Sequence, residues 1–176
     1  MEFSNSSIEL ALLPKAEEVS FQPIEPSYWK VLQIEWLITS ILILVIGGVA
    51  IFFIKALHQP AIIGMAAGLW LLIIITSYWL SNKSFLRKAY AMREKDVMYR
   101  TGFIIRELHV CPFNRIQHCS VHAGPLERQY GLASISLFTS GSDGSDLKIP
   151  GLTEEKAAAI REFIMHKVRN DEQPAN

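Results

Sequence analysis

Ionised side chains are missing from two long stretches of this chain. No Asp, Glu, Lys or Arg lies between Glu35 and Lys55, and none lies between Lys55 and Lys83. Charged residues normally cover the surface of a soluble domain, so their absence indicates a membrane protein. It also argues against a pump, a channel or a proton relay, because those mechanisms use ionisable groups inside the membrane.

Cysteine is scarce and neither charge sign is in excess. The 176 residues contain two cysteines, and the formal net charge is zero. The domain that carries Cys111 and Cys119 is expected in the reducing cytoplasm, so we predict buried free thiols and no disulfide. Without a basic excess, we expect no nucleic-acid partner.

Two apolar runs fill the uncharged stretches, and a short loop joins them. A bilayer core about 30 Å thick is crossed by roughly 20 helical residues, which predicts spans over 36–54 and 61–80. Trp36 and Trp79 mark the same interface, since indole rings favour the headgroup level. The sequence therefore predicts a transmembrane helical hairpin over 28–82.

Basic residues crowd the segment that follows the second run. Such residues remain on the cytoplasmic side of a membrane protein. We therefore predict that the hairpin places both termini in the cytoplasm. The residues concerned are Lys83, Arg87, Lys88, Arg93, Lys95 and Arg100.

The rest of the chain divides into a polar N-terminal tail (1–27), one small cytoplasmic domain (83–170) and a disordered tail (171–176). Short alternating segments between turn residues predict antiparallel strands. Their predicted bounds are Ala89–Met92, Val97–Tyr99, Phe103–Val110, Ile116–His122 and Leu132–Thr139.

Two details of this domain follow from periodicity. In the last predicted strand, Ser134 and Ser136 alternate with apolar residues and should face water. From Thr153 the apolar period becomes helical, which predicts a C-terminal helix that covers the sheet. The fold class is therefore α+β: an antiparallel sheet or partly open barrel, closed by one helix. Residues 140–145 are interpreted as a hairpin tip.

Four glycines in the hairpin offer small faces for helix packing. Gly47 and Gly48 lie in the first span, and Gly64 and Gly68 lie in the second. Small residues allow helices to approach closely. The favoured interpretation is packing between the two helices of one chain, and the alternative is dimerisation through Gly64, Ala67 and Gly68.

Three segments together resemble the bacterial pleckstrin-homology (PH) domain family, in its YdbS-like group of two-span membrane proteins. They are Pro-Phe-Asn-Arg-Ile-Gln-His at 112–118, Gly-Pro-Leu-Glu-Arg-Gln-Tyr-Gly-Leu-Ala at 124–133 and Ile-Pro-Gly-Leu at 149–152. Thr-Ser-Gly at 139–141 departs from the usual Thr-Ala-Gly. The resemblance spans 21–167 and implies a split β-barrel capped by a C-terminal helix, in a bacterial plasma membrane. It implies no reaction.

Six polar residues are candidate contacts for an interaction partner or a lipid headgroup. They lie in the basic segment after the second span and in the first two family-like segments. They are Lys83, Arg87, Lys88, Arg115, Gln117 and Arg128.

Two of these candidates have an ordinary structural alternative. Arg115 and Arg128 could hold turns through backbone carbonyls, or pair with Glu127 and Glu107. The functional alternative is binding of a phosphate or an acidic partner.

Histidines and cysteines in two strands form no convincing metal pattern. His118 and His122 share one face of their strand, but Cys119 points to the other, and Cys-x-x-Cys spacing is absent. Neither cysteine is followed by a helix start that would activate it. We therefore expect no metal, no cofactor and no enzyme activity.

These observations favour a non-enzymatic interaction module, anchored in the membrane by two helices. Its expected partners are the lipid bilayer and other integral membrane proteins, including a related PH-domain membrane protein or further copies of the chain. The alternative is recognition of anionic lipid headgroups by the basic juxtamembrane rim.

Overall fold

Two long helices precede a small β-rich domain. The computed structural model describes residues 19–54, 59–139 and 147–172. Helix α1 spans Tyr28–Phe53 and helix α2 spans Pro60–Phe85. Both are long and apolar enough to cross a membrane, with mean hydropathies of 2.6 and 2.0. Helix α2 contains the span predicted over 61–80, whereas α1 ends at Phe53, one residue short of the span predicted over 36–54, and both helices extend past the predicted spans at the aromatic end.

The two helices are joined at their domain-proximal end by aromatic and polar contacts. The indole Nε1 of Trp36 donates to Ser77 Oγ at 2.9 Å, and Gln33 Nε2 donates to the Tyr78 hydroxyl at 3.3 Å. The Trp36 and Tyr78 rings meet edge to face with centroids 5.4 Å apart. Because a hydrogen bond is favourable where water is scarce, these pairs fix the helices against each other.

Within the described residues, seven antiparallel strands form two sheets. The first sheet has the order β1 (Gln22–Pro23), β2 (Ala89–Met92), β3 (Asp96–Thr101) and β4 (Glu107–Pro112). The second has the order β5 (Ile116–His122), β6 (Leu132–Thr139) and β7 (Leu147–Thr153). A 3₁₀ turn at Phe113–Arg115 connects the sheets, and a short helix α3 (Pro125–Gln129) lies between β5 and β6.

The C-terminal helix α4 (Glu154–Glu172) packs on the second sheet, as predicted. Ala157, Ile164 and Val168 are buried on its inner face. Thr153 Oγ1 accepts from the Lys156 backbone N–H at 3.2 Å and so caps its first turn. The architecture is thus a PH-like pair of sheets closed by a helix, behind two apolar helices.

Several local predictions need correction. The strand predicted over 103–110 begins only at Glu107, because 102–106 form a turn. Ser134 and Ser136 are buried rather than wet, because the short helix α3 and the C-terminal helix both pack on β6, and Ser134 Oγ donates to Glu127 of α3. Strands β1 and β7 were not predicted. The hairpin tip predicted at 140–145 lies outside the described residues.

Helix α1 begins inside the core of the domain. Ile24, Tyr28 and Val31 are buried with the strand residues, and Glu25 N donates to the Gly151 carbonyl at 2.8 Å. The polar tail predicted over 1–27 is therefore too long at its C-terminal end, because β1 and Ile24 already belong to the folded domain. The packing fixes where the domain sits relative to the helices.

Candidate functional site

The turn between β3 and β4 lies next to the end of α2. Gly102 has φ +83°, and a Cβ there would come within 1.8 Å of the Ile105 carbonyl oxygen, so only glycine fits this closure. The turn carries Phe103, whose ring meets Trp79 of α2 edge to face at 5.6 Å. Trp79 belongs to the aromatic group expected at the headgroup level. The turn is therefore placed beside the membrane interface.

Three arginines surround a cleft at the base of this turn. The guanidinium of Arg100 lies over the Phe21 ring at 4.5 Å, and that of Arg87 lies over Phe103 at 5.4 Å. Arg106 is exposed within the turn. Stacking occupies the face of a guanidinium and leaves its N–H edge free to donate. Across the described residues, none of the three arginines forms an ion pair.

The cleft is open and has a volume of about 480 Å³. The N-terminal segment, the end of α2 and the start of β4 each contribute to its walls. Among the described residues of the lining, Glu107 is the one acidic residue, and its carboxylate contacts His109 Nε2 at 3.2 Å. Positive charge therefore dominates the described part of the lining. Its lining comprises Val19, Phe21, Leu86, Arg87, Arg100, Thr101, Gly102, Arg106, Glu107 and Leu108.

Large apolar side chains project around the same cleft. Ile104 and Ile105 at the tip of the turn are 74% and 73% exposed, and Leu86 just after α2 is 69% exposed. Side chains of this size are costly to leave in water when they lie together. An exposed apolar tip therefore lies next to arginines that form no ion pair with any described residue.

The three juxtamembrane candidates do not act as one rim. Arg87 lines the cleft, and Lys83 lies in the last turn of α2. Lys88 turns toward the domain, with its ammonium 5.8 Å from the centre of the Tyr28 ring. Burial lowers the pKa of Lys88, which is the signature of a cation withdrawn from water.

The remaining candidates lie elsewhere on the domain. Arg115 ends the 3₁₀ turn rather than opening a strand. Gln117 lies at the bulge where the register of β5 shifts between Ile116 and His118. Arg128 is exposed on α3. None of these three residues lines the cleft formed around Arg87, Arg100 and Arg106, called the arginine cleft below.

Pairing of Arg128 with Glu127, one of the structural alternatives, is not among the ion pairs of the described residues. Glu127 is buried, and its carboxylate accepts from the Gly124 backbone N–H at 2.9 Å and from Ser134 Oγ at 2.6 Å. These bonds use the carboxylate to join α3 to β6. Glu107 likewise contacts His109 rather than Arg115.

The glycines are not at the contact between the helices. A Cβ at Gly47, Gly48, Gly64 or Gly68 would meet nothing within 4 Å, so none of them packs against the other helix. In the same helix, Gly64 and Gly68 are exposed, and a less exposed position nearby is Trp70, which has a large side chain. Packing inside one chain, the favoured interpretation, is therefore wrong for these residues.

Histidine and cysteine side chains are not gathered into a reactive cluster. Among the described residues, no group of three or more His, Cys, Asp or Glu side chains could hold a metal ion. His118 stacks on Phe138 with ring centroids 4.2 Å apart. Burial raises the pKa of the Cys119 thiol from 9.0 to about 11, which disfavours the nucleophilic thiolate.

Strand β4 presents a second exposed surface. It is the last strand of the first sheet, and Leu108 and Val110 on one of its faces are 44% and 47% exposed. Arg115 and Cys111 share with them a cavity of about 370 Å³. The edge, the apolar side chains and one arginine therefore lie together.

Comparison with known proteins identifies the fold family. The family model described as "Bacterial PH domain" matches residues 32–168. The chain belongs to the bacterial PH domain family. That match covers most of α1, all of α2 and nearly the whole β-rich domain, so the membrane helices are part of the family pattern here.

One relative and one solved structure are also similar to parts of the chain. The chain is 28% identical over 149 residues to the "UPF0699 transmembrane protein YdbS" of Bacillus subtilis (strain 168), covering 83% of this chain and 91% of that protein. A DUF1696 family protein with a pleckstrin-homology domain from Shewanella loihica matches 47% of this chain and 72% of its own, at 18% identity and a TM-score of 0.37. The bacterial PH domain chain is thus similar to a transmembrane protein over most of its length.

The arginine cleft was only partly foreseen from the sequence. Arg87 was a candidate contact and Arg100 belonged to the basic segment, but Arg106 was not singled out. The available signal was the triplet Phe103-Ile104-Ile105 after a glycine, with arginines on both sides. An apolar run of this kind also predicts a strand, and that prediction is wrong for 103–106, which lie in the turn before β4.

Proposed function

We propose that this bacterial PH domain protein is a non-enzymatic interaction module that binds another membrane protein through strand β4. The observation that carries the proposal is the edge of β4: within the described residues it is an end strand of its sheet, and Leu108 and Val110 on it are exposed. An exposed edge strand is a template on which a partner adds an extended segment.

The position of the edge favours a partner in the same membrane. Helix α1 and the domain share one core through Tyr28 and Val31, so β4 stays near the bilayer surface. A partner in that bilayer meets β4 at high effective concentration. We place the module on the cytoplasmic face, in keeping with the basic residues after α2.

The chemistry of the edge specifies the partner segment. Leu108 and Val110 require apolar side chains at alternate positions of an added strand. Arg115, in the same cavity, favours an acidic residue beside them. The proposed ligand is an extended, apolar segment with a nearby carboxylate.

Site-specific photocrosslinking tests this proposal in cells. A photoreactive amino acid at position 108 is expected to yield an adduct with an integral membrane protein, identified by mass spectrometry. Val110→Lys in the same chain should abolish the adduct, because a lysine blocks strand addition. The matched control carries the photoreactive residue at 161, on the exposed face of α4, and should yield no such adduct.

Two results would overturn the proposal. Absence of any adduct at 108 would mean that β4 does not bind a protein. An adduct formed only with a second copy of this chain would replace the hetero-partner with self-association.

A further inference from the structure

We infer that the arginine cleft binds the phosphate of one anionic phospholipid from the membrane that holds α1 and α2. This site goes beyond the proposed binding of a protein by β4. It also differs from the basic rim expected from the sequence, because Lys88 is turned away from the cleft and Arg106, which lies outside that basic segment, takes part.

The donors of the cleft suit a phosphodiester. Arg87, Arg100 and Arg106 line one cavity, and within the described residues each lacks a carboxylate partner. The N–H edge of a guanidinium matches the oxygens of a phosphate in a bidentate arrangement. Phe21 and Phe103 hold two of the guanidinium planes in place, which reduces the ordering needed on binding.

The surroundings of the cleft indicate that the phosphate comes from a lipid. Phe103 contacts Trp79, so the turn that walls the cleft lies at the end of a membrane helix. Ile104, Ile105 and Leu86 project beside it and would lie against acyl chains. A free phosphate in water would gain nothing from these side chains.

The volume also suits one headgroup. A cleft of about 480 Å³ is within the range of small-molecule sites. Its floor is built by the closed turn at Gly102, whose φ of +83° is available to glycine. The geometry is thus set by the fold of the turn before any ligand arrives.

Native mass spectrometry of the full-length protein in detergent micelles tests the site. Phosphatidylglycerol and phosphatidylcholine are added in parallel, and the number of retained lipids is counted. We expect one retained phosphatidylglycerol per chain and no retained phosphatidylcholine. Arg100→Gln with Arg106→Gln should weaken retention about tenfold or more, because two charge-assisted donors are lost.

A matched control separates a site from general electrostatics. Arg161→Gln with Arg169→Gln removes the same charge from α4, away from the cleft. This control should retain phosphatidylglycerol like the wild type. An equal loss in both double variants would overturn the inference and leave only diffuse attraction, and so would equal retention of phosphatidylcholine.

Two further arms test the source of the phosphate and the folding of the variants. Inorganic phosphate should fail to displace the lipid at equal concentration, and displacement would assign the cleft to a free anion instead. Ile104→Gln with Ile105→Gln should also weaken lipid retention. Melting temperatures should match the wild type in all variants, since these side chains are exposed, and Arg106→Gln alone supplies the answer if the double variant unfolds. Because purified protein is used, the outcome is independent of the β4 partner.

Discussion

Single residues show how burial decides chemical character in this domain. Glu127 could have been a surface partner for Arg128, yet it is buried and bonded to Gly124 and Ser134. Spacing alone does not reveal this, because neighbours in sequence on a short helix can point to different environments. The same reasoning applies to Cys119, whose position in β5 is half-buried beside α4.

The Cys119 thiol is expected to resist alkylation. Its pKa is raised from 9.0 to about 11 by burial, with Arg161 opposing the shift, so the thiolate fraction near neutral pH is about 100-fold below that of a free cysteine. Iodoacetamide labelling of the folded protein, followed by peptide mapping, should therefore be slow at this residue. Denaturant should restore the rate of a free thiol. A folded rate equal to the denatured rate would contradict the burial.

At the scale of elements, the contact between β7 and α1 connects the domain to its membrane helices. Gly151 has φ +66°, and a Cβ there would lie 2.7 Å from Cγ of Tyr28. Gly131 offers a matched comparison, since its φ is +63° but a Cβ would meet nothing within 4 Å. Both glycines are conformationally required, and only one is also packed against α1.

Gly151→Ala should destabilise the protein more than Gly131→Ala. The left-handed backbone alone costs about 1–2 kcal/mol for an alanine, which both variants share. The clash with Tyr28 adds about 1–3 kcal/mol for Gly151→Ala. Thermal unfolding of both variants in detergent measures the difference. Equal melting temperatures would mean that Tyr28 is not seated against β7.

Regular elements were predictable from the sequence where the pattern was local. The bounds of β2, β5 and β6 agree with prediction. In β6 the signal is clearest, because Ala133, Ile135 and Leu137 alternate with Ser134 and Ser136. Strand β1 has two residues and pairs with β2 across the whole hairpin, so no local signal marks it. Strand β7 contains Pro150 and Gly151, which look like a loop in the sequence but form the β7 side of a bulge between the pairs Ala133–Leu152 and Ile135–Ile149.

At the scale of the whole molecule, the start of α1 and the end of α2 are held together. Trp29 near the start of α1 and Phe85 at the end of α2 have ring centroids 5.4 Å apart, so both flanks of the hairpin lie on one side of the membrane. The arginine cleft is lined by three segments that are distant in sequence: the N-terminal segment, the end of α2 and the turn before β4. The sequence therefore indicated Arg87 as a candidate but did not reveal the site. Which side of the membrane carries the domain depends on charge rather than on packing.

The final prediction is that this side is the cytoplasm. Six basic residues follow the second span, whereas the connecting loop contains Lys55 as its one Lys or Arg, and basic flanks remain inside. A reporter active only in the cytoplasm should work when fused after Asn176, and a reporter active only in the periplasm should fail there. Insertion of the same reporters between Lys55 and His58 should give the reverse pattern. If the periplasmic reporter is active at Asn176, the domain faces outward, and the cleft would then bind lipids of the opposite leaflet.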